Sequence, residues 1–220
     1  MNEPLANFSH QIELFDPKCA RKTILIGAGS VISWTALFLA KMGVTDIEAY
    51  DSDVVASHNT PMSFFAPRDV GRLKVEALRE KVLRETGVEI KIHREMYTGQ
   101  RRFRNCSVVA GVDQMETGRK VILQNVRDNP SVDIYLDSRI AVCYAELYAV
   151  NPNLKQDITR YEATLFTDGE GVRQTCGSHG IVFAAGYVGI TIASTLALFW
   201  QTGQKQWRIQ YQCDMIRQVL

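Results

Sequence analysis

A glycine-containing turn at residues 27–29 is the feature that most constrains the fold of this chain. Before it, residues 22–27 (KTILIG) form a short β-branched apolar run that predicts a strand. After it, residues 30–42 predict a long apolar helix, and residues 46–50 (DIEAY) predict a second strand that ends at Asp51. Strand, turn, helix and strand within about thirty residues are typical of a βαβ unit, whose two strands lie parallel in one sheet.

The next part of the chain continues this alternation of strands and helices. We predict a helix over residues 69–85 with Asp69 as its N-cap, and a helix over residues 116–126. Strands are predicted over residues 88–93, 107–112 and 133–136. The first two-thirds of the sequence therefore predicts an α/β fold with a parallel sheet.

After Asp137 the pattern changes to strands without intervening helices. These strands are predicted over residues 143–150, 161–166 and 207–213, the first two antiparallel. No internal repeat, low-complexity segment or linker divides the sequence. We therefore predict one domain over residues 1–220, with a Rossmann-like, mainly parallel sheet, helices on both faces, and antiparallel strands in the C-terminal third.

One long segment carries no charge. Between residues 174 and 204 there is no Asp, Glu, Lys or Arg, and residues 181–200 are nearly all apolar. About 20 such residues suffice to cross a bilayer, but polar side chains and two glycines interrupt this run, and no basic cluster flanks it. We favour a helix buried in the protein over a membrane span.

Composition argues against several classes of protein. The 25 basic and 24 acidic residues leave a net charge of +1, so no basic face is expected to attract nucleic acid. The five cysteines are odd in number and far apart, which favours neither a disulfide framework nor a paired-cysteine zinc site. The first twenty residues show no signal-peptide pattern. We expect a cytoplasmic protein that binds no zinc, no nucleic acid and no membrane.

The glycine turn also has a binding interpretation. Gly27, Ala28 and Gly29 resemble a dinucleotide-binding loop, although Ile32 stands where that pattern has its third glycine. Asp51 follows Gly29 by 22 residues at a predicted strand end, where a carboxylate can hold a ribose hydroxyl. The pattern predicts a nucleotide at the carboxyl ends of the strands; the alternative is a tight turn with an incidental capping Asp.

Residues 51–59 (DSDVVASHN) and 69–74 (DVGRLK) make this interpretation more specific. Their spacing, D-x-D-x-V-x-x-x-N followed by G-x-x-K, resembles that of the ThiF/MoeB/HesA family, the ATP-dependent activators of ubiquitin-like proteins. Further matches are Gln11-Ile12, Gly43-Val44, and Gly111-Val112-Asp113 followed by Arg119. The resemblance runs from about residue 8 to residue 200.

The resemblance implies adenylation of a C-terminal carboxylate by Mg-ATP, with release of pyrophosphate. It implies that Gly27 and Gly29 approach phosphate, that Asp51 holds the ribose, that Asp53 and Asp113 bind Mg²⁺, and that Asn59 and Lys74 contact the phosphates, Lys74 and Asp113 being catalytic. Taken singly, Asp53 and Asn59 are better explained as turn caps, and Lys74 as a residue on a solvated helix face.

The sequence departs from the family at two cation positions. The amino-terminal arginine of the family, which reaches the ATP of the partner subunit, is His10 here, and the arginine after the matched asparagine is Met62. An arginine so placed stabilises charge on the departing pyrophosphate. We choose Arg139 as the replacement, ahead of Arg68 and Arg72; its alternative role is a surface salt bridge.

The resemblance also suggests a reactive thiol and a partner. Cys176 precedes the long apolar helix, where related activators carry a cysteine that attacks the adenylate, and His179 lies close by in sequence. The alternative is an inert, half-buried residue. The expected partners are a small ubiquitin-like or sulfur-carrier protein with a Gly-Gly tail, or a peptide, and a second copy of the chain in a homodimer.

Two other functions stay open on the sequence. His10 and Met62 are also consistent with a catalytically weakened scaffold that binds nucleotide or a protein without turnover. An NAD-dependent oxidoreductase would share only the glycine loop and Asp51.

Overall fold

The computed structural model describes residues 6–141, 144–167 and 181–212. Within them, seven strands form one sheet in the order β3-β2-β1-β4-β5-β6-β7. Strands β1 to β5 are mutually parallel, whereas β6 pairs antiparallel with both β5 and β7. The strands are β1 (Thr23–Ile26), β2 (Ile47–Tyr50), β3 (Lys91–His93), β4 (Cys106–Ala110), β5 (Val132–Ala141), β6 (Tyr144–Val150) and β7 (Arg208–Gln212).

Helices cover both faces of this sheet. The first face packs against α1 (Ser30–Lys41), α2 (Lys74–Thr86) and α5 (Val182–Thr202). The second packs against α3 (Val121–Val126), which continues a π-helix over Met115–Lys120, and against α4 (Lys155–Glu162). Because β1, β2 and β4 are buried on both faces, their sequences are continuous apolar runs rather than alternating ones. The predicted fold class is confirmed.

The predicted strand over residues 161–166 is wrong. The chain there ends helix α4 at Glu162 and continues as a turn. Ile158 and Tyr161, three residues apart, share the buried face of that helix, and three-residue spacing is a helical period. The prediction failed because it began at Tyr161 and separated it from the partner one turn earlier.

Helix α2 begins at Lys74 rather than at Asp69. Gly71 has φ +86, a left-handed conformation that interrupts any helix running from Asp69. Asp69 instead ends a short 3-10 turn (Pro67–Asp69), where its side chain accepts a hydrogen bond from the Ala66 amide at 2.8 Å. The predicted capping role of Asp69 is therefore wrong in position: it caps a turn in the loop before the helix.

Helix α5 buries one face and exposes the other. Gly189 lies so close to α1 that a Cβ there would be 2.9 Å from Trp34 Cβ. The opposite face leaves four large apolar side chains at 43–50% exposure: Phe183, Tyr187, Ile190 and Leu198. Helix α5 is long and apolar enough to cross a bilayer. The core helices of soluble proteins can have the same length and composition, so these two properties alone do not indicate a membrane span.

Candidate functional site

The glycine turn lies at the carboxyl ends of the strands, between β1 and α1. Gly27 has φ +88, and a Cβ on it would lie 2.8 Å from the carbonyl oxygen of Gly111, so no other residue fits without movement. Gly29 is the N-cap of α1 and makes no side-chain cap, and the space where its Cβ would be is empty to 4 Å. The backbone amides in the first turn of α1 therefore have no side-chain cap, and such amides suit an anion.

Asp51 joins the glycine turn to the loop that follows β2. Its Oδ2 accepts the Ala28 amide at 2.7 Å, and its Oδ1 accepts the Asp53 amide at 2.7 Å. Burial raises the pKa of Asp51, and the charge of Lys74 and the two amide hydrogen bonds only partly offset this increase. The predicted ribose-binding carboxylate and the predicted phosphate-binding turn are thus in direct contact.

Asp53 and Lys74 form an ion pair at the same edge of the sheet. Lys74 Nζ lies 2.7 Å from Asp53 Oδ2, and the Lys74 amide donates to the Asp53 carbonyl at 2.8 Å. The Lys74 side chain is 13% exposed, so it does not lie on a solvated helix face. Asp53 is 64% exposed, which leaves its second carboxylate oxygen open to a ligand.

Asn59 and Met62 are held in the loop between β2 and α2. Asn59 Oδ1 accepts the Ala56 amide at 2.9 Å, so part of the side chain serves as a cap of its own turn. The Met62 carbonyl accepts a hydrogen bond from Trp34 Nε1 on α1 at 3.0 Å. These bonds fix the loop against the helix that the glycine turn begins.

Asp113 is an exposed residue between β4 and the π-helix. The Gly111 amide donates to the Ile26 carbonyl at 2.9 Å, which places this segment beside the glycine turn. Among the residues that the structure describes, no group of three or more His, Cys, Asp or Glu is close enough to hold a metal ion.

Arg139 is bound into a buried cluster around Asp137. Arg139 Nε donates to Asp137 Oδ2 at 2.8 Å, its other nitrogens donate to Thr164, and its guanidinium lies 4.6 Å from the ring centre of Tyr148. Burial alone lowers the pKa of Arg139, but the Asp137 carboxylate outweighs it and the pKa is raised. Arg139 is therefore neither a surface salt bridge nor a freely placed cation.

Asp137 itself was not predicted as a functional residue. It is fully buried within β5, at the last residue of the strand that pairs with β4. It accepts hydrogen bonds from Arg119 Nε at 2.9 Å and from the Tyr161 hydroxyl at 3.0 Å, in addition to Arg139. The sequence offers only an Asp at a strand end, and the arginine and tyrosine that surround it come from elements 18 and 24 residues away.

Of the remaining predicted residues, some are exposed or paired elsewhere and others lie outside the described ranges. His10 is exposed, and its neighbour Gln11 donates to the Met42 carbonyl at the far end of α1. Twelve helical residues span about 18 Å, so His10 is distant from the glycine turn of its own chain. Arg72 pairs with Glu80, and Arg68 is exposed. Cys176 and His179 lie outside the described residues.

Several solved structures have a fold similar to that of this chain. The crystal structure of E. coli MccB with AMPCPP and MccA has a TM-score of 0.70 at 14% identity, over 92% of this chain and 63% of that one. E. coli MccB with ATP has a TM-score of 0.69 at 14% identity, again over 92% and 63%. PaaA has a TM-score of 0.67 at 14% identity, over 91% and 63%.

The chain thus spans somewhat less than two thirds of these structures, and at this identity the likeness shows the fold. No curated protein matches the sequence. The sequence does match the family model for the ThiF family over residues 18–201. That match includes the glycine turn, Asp51, the Asp53–Lys74 pair, Asp113 and Arg139, and the chain belongs to the ThiF family.

Proposed function

We propose that this protein is an ATP-dependent adenylyltransferase that activates the C-terminal carboxylate of a small ubiquitin-like protein, a sulfur-carrier protein or a peptide. The observation that carries the proposal is that the glycine turn, Asp51 and the Asp53–Lys74 ion pair are in direct contact at one edge of the sheet. Asp51 binds both the glycine turn and the start of the next loop, and that loop returns to place Lys74 against Asp53. Membership of the ThiF family and the similarity to MccB, which was crystallised with ATP, support this assignment.

The residues at this edge match the parts of a nucleoside triphosphate. The open amides at Gly29 and the first turn of α1 suit a phosphate, and Asp51 suits a ribose hydroxyl. Lys74 supplies a positive charge for the phosphates. In the reaction, an oxygen of the substrate carboxylate attacks the α-phosphorus and forms the acyl–adenylate bond, while the bond to the β-phosphate breaks and pyrophosphate leaves.

The carboxylates at this edge fit a magnesium ion. Mg²⁺ is bound through one or two carboxylates and otherwise by water and substrate phosphates, so a dedicated cluster is not required. Asp53 keeps one oxygen outside its ion pair with Lys74, and Asp113 is exposed beside the glycine turn. When bound, the ion would neutralise charge on the phosphates; Asp53 and Asp113 would hold it.

The proposed partner is a small protein with a Gly-Gly tail, or a peptide. The structure of MccB, which is named a microcin C7 biosynthetic enzyme, in complex with N-formylated MccA supports a peptide as the alternative to a small protein. We also propose a cytoplasmic homodimer. The exposed apolar face of α5 gives such a dimer a surface, and His10, far from its own glycine turn, would serve a neighbouring subunit.

A specific observation favours the scaffold as the second candidate. At this edge Lys74 is paired with Asp53, while Arg119 and Arg139 are both committed to Asp137. Met62 offers no charge, so the described residues place few cations for the departing pyrophosphate. A scaffold would bind nucleotide without catalysing pyrophosphate exchange.

Pyrophosphate exchange beside a binding measurement separates the two candidates. The protein is incubated with Mg-ATP, labelled pyrophosphate and candidate partner tails, and calorimetry records the affinity for Mg-ATP and for NAD. Exchange that depends on a partner tail supports the enzyme, and nucleotide binding without exchange supports the scaffold. Binding of NAD without binding of Mg-ATP would contradict both.

We expect Asp51→Ala to weaken Mg-ATP binding by about 1–3 kcal/mol, because a charged hydrogen bond to the ribose is lost. Asp46→Ala is the matched control, since Asp46 is exposed and precedes the opposite end of the same strand. Equal affinities of the two variants in calorimetry would remove Asp51 from the nucleotide site.

A further inference from the structure

The loop between β2 and α2, residues 51–74, is closed at its neck. Three backbone hydrogen bonds, each 2.8 Å long, join residues 53–55 to residues 71–74, and Val54 and Leu73 form an antiparallel bridge between them. Asp53 and Lys74, which form the ion pair of the candidate site, stand on opposite sides of this neck. Their spacing therefore depends on whatever holds the two arms of the loop together.

A buried ion pair holds the returning arm of the loop against α2. Asp69 is 1% exposed, and its Oδ2 accepts the Ala66 amide at 2.8 Å and lies 3.4 Å from Lys81 Nζ. The Lys81 side chain is 6% exposed, and its ammonium lies 4.8 Å from the ring centre of Phe64. The other oxygen of Asp69 lies 3.6 Å from Arg72, which belongs to the same arm of the loop, so Lys81 is the cation that joins Asp69 to α2. A lysine buried to this extent is costly without a partner, so the pair holds the arm against the helix.

Lys81 and Lys74 lie on the same face of α2. They are seven residues apart, which is about two helical turns. The ion pair therefore joins the loop to the helix face whose first residue is Lys74. Movement of the arm at Asp69 would be transmitted through four residues to the neck, where Lys74 meets Asp53.

We propose that Asp69 and Lys81 are positioning residues that set the placement of Lys74 relative to Asp53 and the glycine turn. The inference rests on the proposed function for its catalytic consequence and on the loop geometry alone for its structural one. Neither residue contacts the nucleotide site directly; they act through the neck.

The test compares two lysines in similar surroundings. Lys81→Met removes the charge from the pair with Asp69, and Lys205→Met is the matched control. Lys205 Nζ lies 2.6 Å from Asp157 Oδ2, and Asp157 also accepts a backbone amide, that of Asn151 at 2.8 Å. This second pair joins β6, α4 and the segment before β7, which lie away from the β2–α2 loop.

Two readouts distinguish positioning from stability. The first is the rate at which an amine reagent labels Lys74, followed by mass spectrometry without any nucleotide. We expect it to rise several-fold in Lys81→Met, because Lys74 loses its fixed place beside Asp53, and to be unchanged in Lys205→Met. The second is pyrophosphate exchange, where we expect kcat to fall about tenfold in Lys81→Met while the KM for ATP changes less.

Two further variants test whether the charges of the Asp69–Lys81 pair position Lys74. Lys81→Arg keeps the charge, so its Lys74 labelling and kcat should be close to those of the wild type. Asp69→Asn keeps an acceptor for the Ala66 amide but loses the charge, so it should behave like Lys81→Met. It serves as the second variant if Lys81→Met folds poorly. Equal losses of thermal stability in both methionine variants, with Lys74 labelling and kcat at wild-type values, would overturn the inference. Absence of exchange in the wild type would contradict the proposed function instead, and Lys74 labelling would still decide the positioning role.

Discussion

At the scale of single residues, two kinds of charged side chain bear on the function and stability of this protein. Those at the carboxyl edge of the sheet keep an open side, as Asp53 and Asp113 do, and Asp51 bonds to the backbone of the glycine turn. Others, such as Asp137 and Glu48, are surrounded by cations and donors inside the fold. Residues of the first kind suit a ligand, and those of the second kind hold elements together.

Glu48 makes the stability of the protein depend on pH. Burial alone raises the pKa of Glu48, but hydrogen bonds from Lys22, Lys91 and His93 outweigh it and lower the pKa to about 2. Because the folded pKa lies below the ordinary value of 4.5, the stabilisation is complete above pH 4.5 and is lost as the pH falls towards 2. We expect Glu48→Gln to cost about 1–3 kcal/mol at pH 7.

Urea unfolding at pH 7 and pH 3 checks this prediction. The difference in free energy of unfolding between wild type and Glu48→Gln should be smaller at pH 3, because there Glu48 is largely protonated in the unfolded state and still largely ionised in the folded state. A difference that grows as the pH falls would show that Glu48 is not stabilised as a carboxylate.

Cys176 gives a second prediction at this scale. We expect adenylation to survive Cys176→Ala, because attack on the α-phosphorus needs no thiol, while any thiol-sensitive adduct with the partner disappears. Pyrophosphate exchange and non-reducing electrophoresis measure the two effects. An adduct that persists unchanged in the variant would exclude Cys176 from the mechanism.

At the scale of elements, the contact between α1 and α5 aligns the helix that begins at the glycine turn. Gly189 permits this contact, since a Cβ there would lie 2.9 Å from Trp34 Cβ and 3.1 Å from the Thr35 amide nitrogen. Gly186, one turn earlier on the same helix, has no atom within 4 Å of the equivalent position. Substitution of Gly189 by alanine therefore changes both packing and helix propensity, whereas substitution of Gly186 changes helix propensity alone.

We expect Gly189→Ala to destabilise the protein by about 1–3 kcal/mol, because the added methyl group overpacks the contact with α1. Gly186→Ala is the matched control and should be neutral or stabilising by up to about 1 kcal/mol, since alanine is the better helix former. Thermal unfolding of both variants is the measurement. Similar midpoints for the two would show that α1 and α5 are not closely packed at Gly189.

At the scale of the whole molecule, the exposed face of α5 gives the proposed homodimer its clearest test. Phe183, Tyr187, Ile190 and Leu198 form one apolar stripe on the surface. We expect the wild type to scatter light as a dimer at micromolar concentration and Ile190→Glu to scatter as a monomer, because a charge would be buried in the interface.

Leu154→Glu is the control for this test. Leu154 is 52% exposed and precedes α4, on the other face of the sheet, so its substitution should leave the dimer intact. A wild type that scatters as a monomer across micromolar concentrations would contradict the dimer, and partition of the native protein into lipid vesicles would favour a membrane role for α5.

The sequence by itself determined the βαβ unit, the glycine turn, Asp51 and the overall α/β class. These follow from patterns within about thirty residues: an apolar run, a turn that only glycine permits, a helical period and a carboxylate at a strand end. The D-x-D and G-x-x-K motifs resemble those of the ThiF family, and that resemblance implied that Asp53 and Lys74 belong to one site. Such features are local, so a single stretch of chain contains all the residues needed to recognise them.

Only the tertiary structure decided the roles of Asp69, Asp137 and Arg139. In the sequence Asp69 looks like a helix cap. In the structure the left-handed conformation of Gly71 interrupts any helix that starts at Asp69, and Lys81 on α2 pairs with the Asp69 carboxylate. Arg139 looks free until Asp137, Thr164 and Tyr148 surround it. The physical reason is the same in each case: the energy of a buried charge is set by partners from distant parts of the chain, and those partners meet only when the sheet and its helices have assembled.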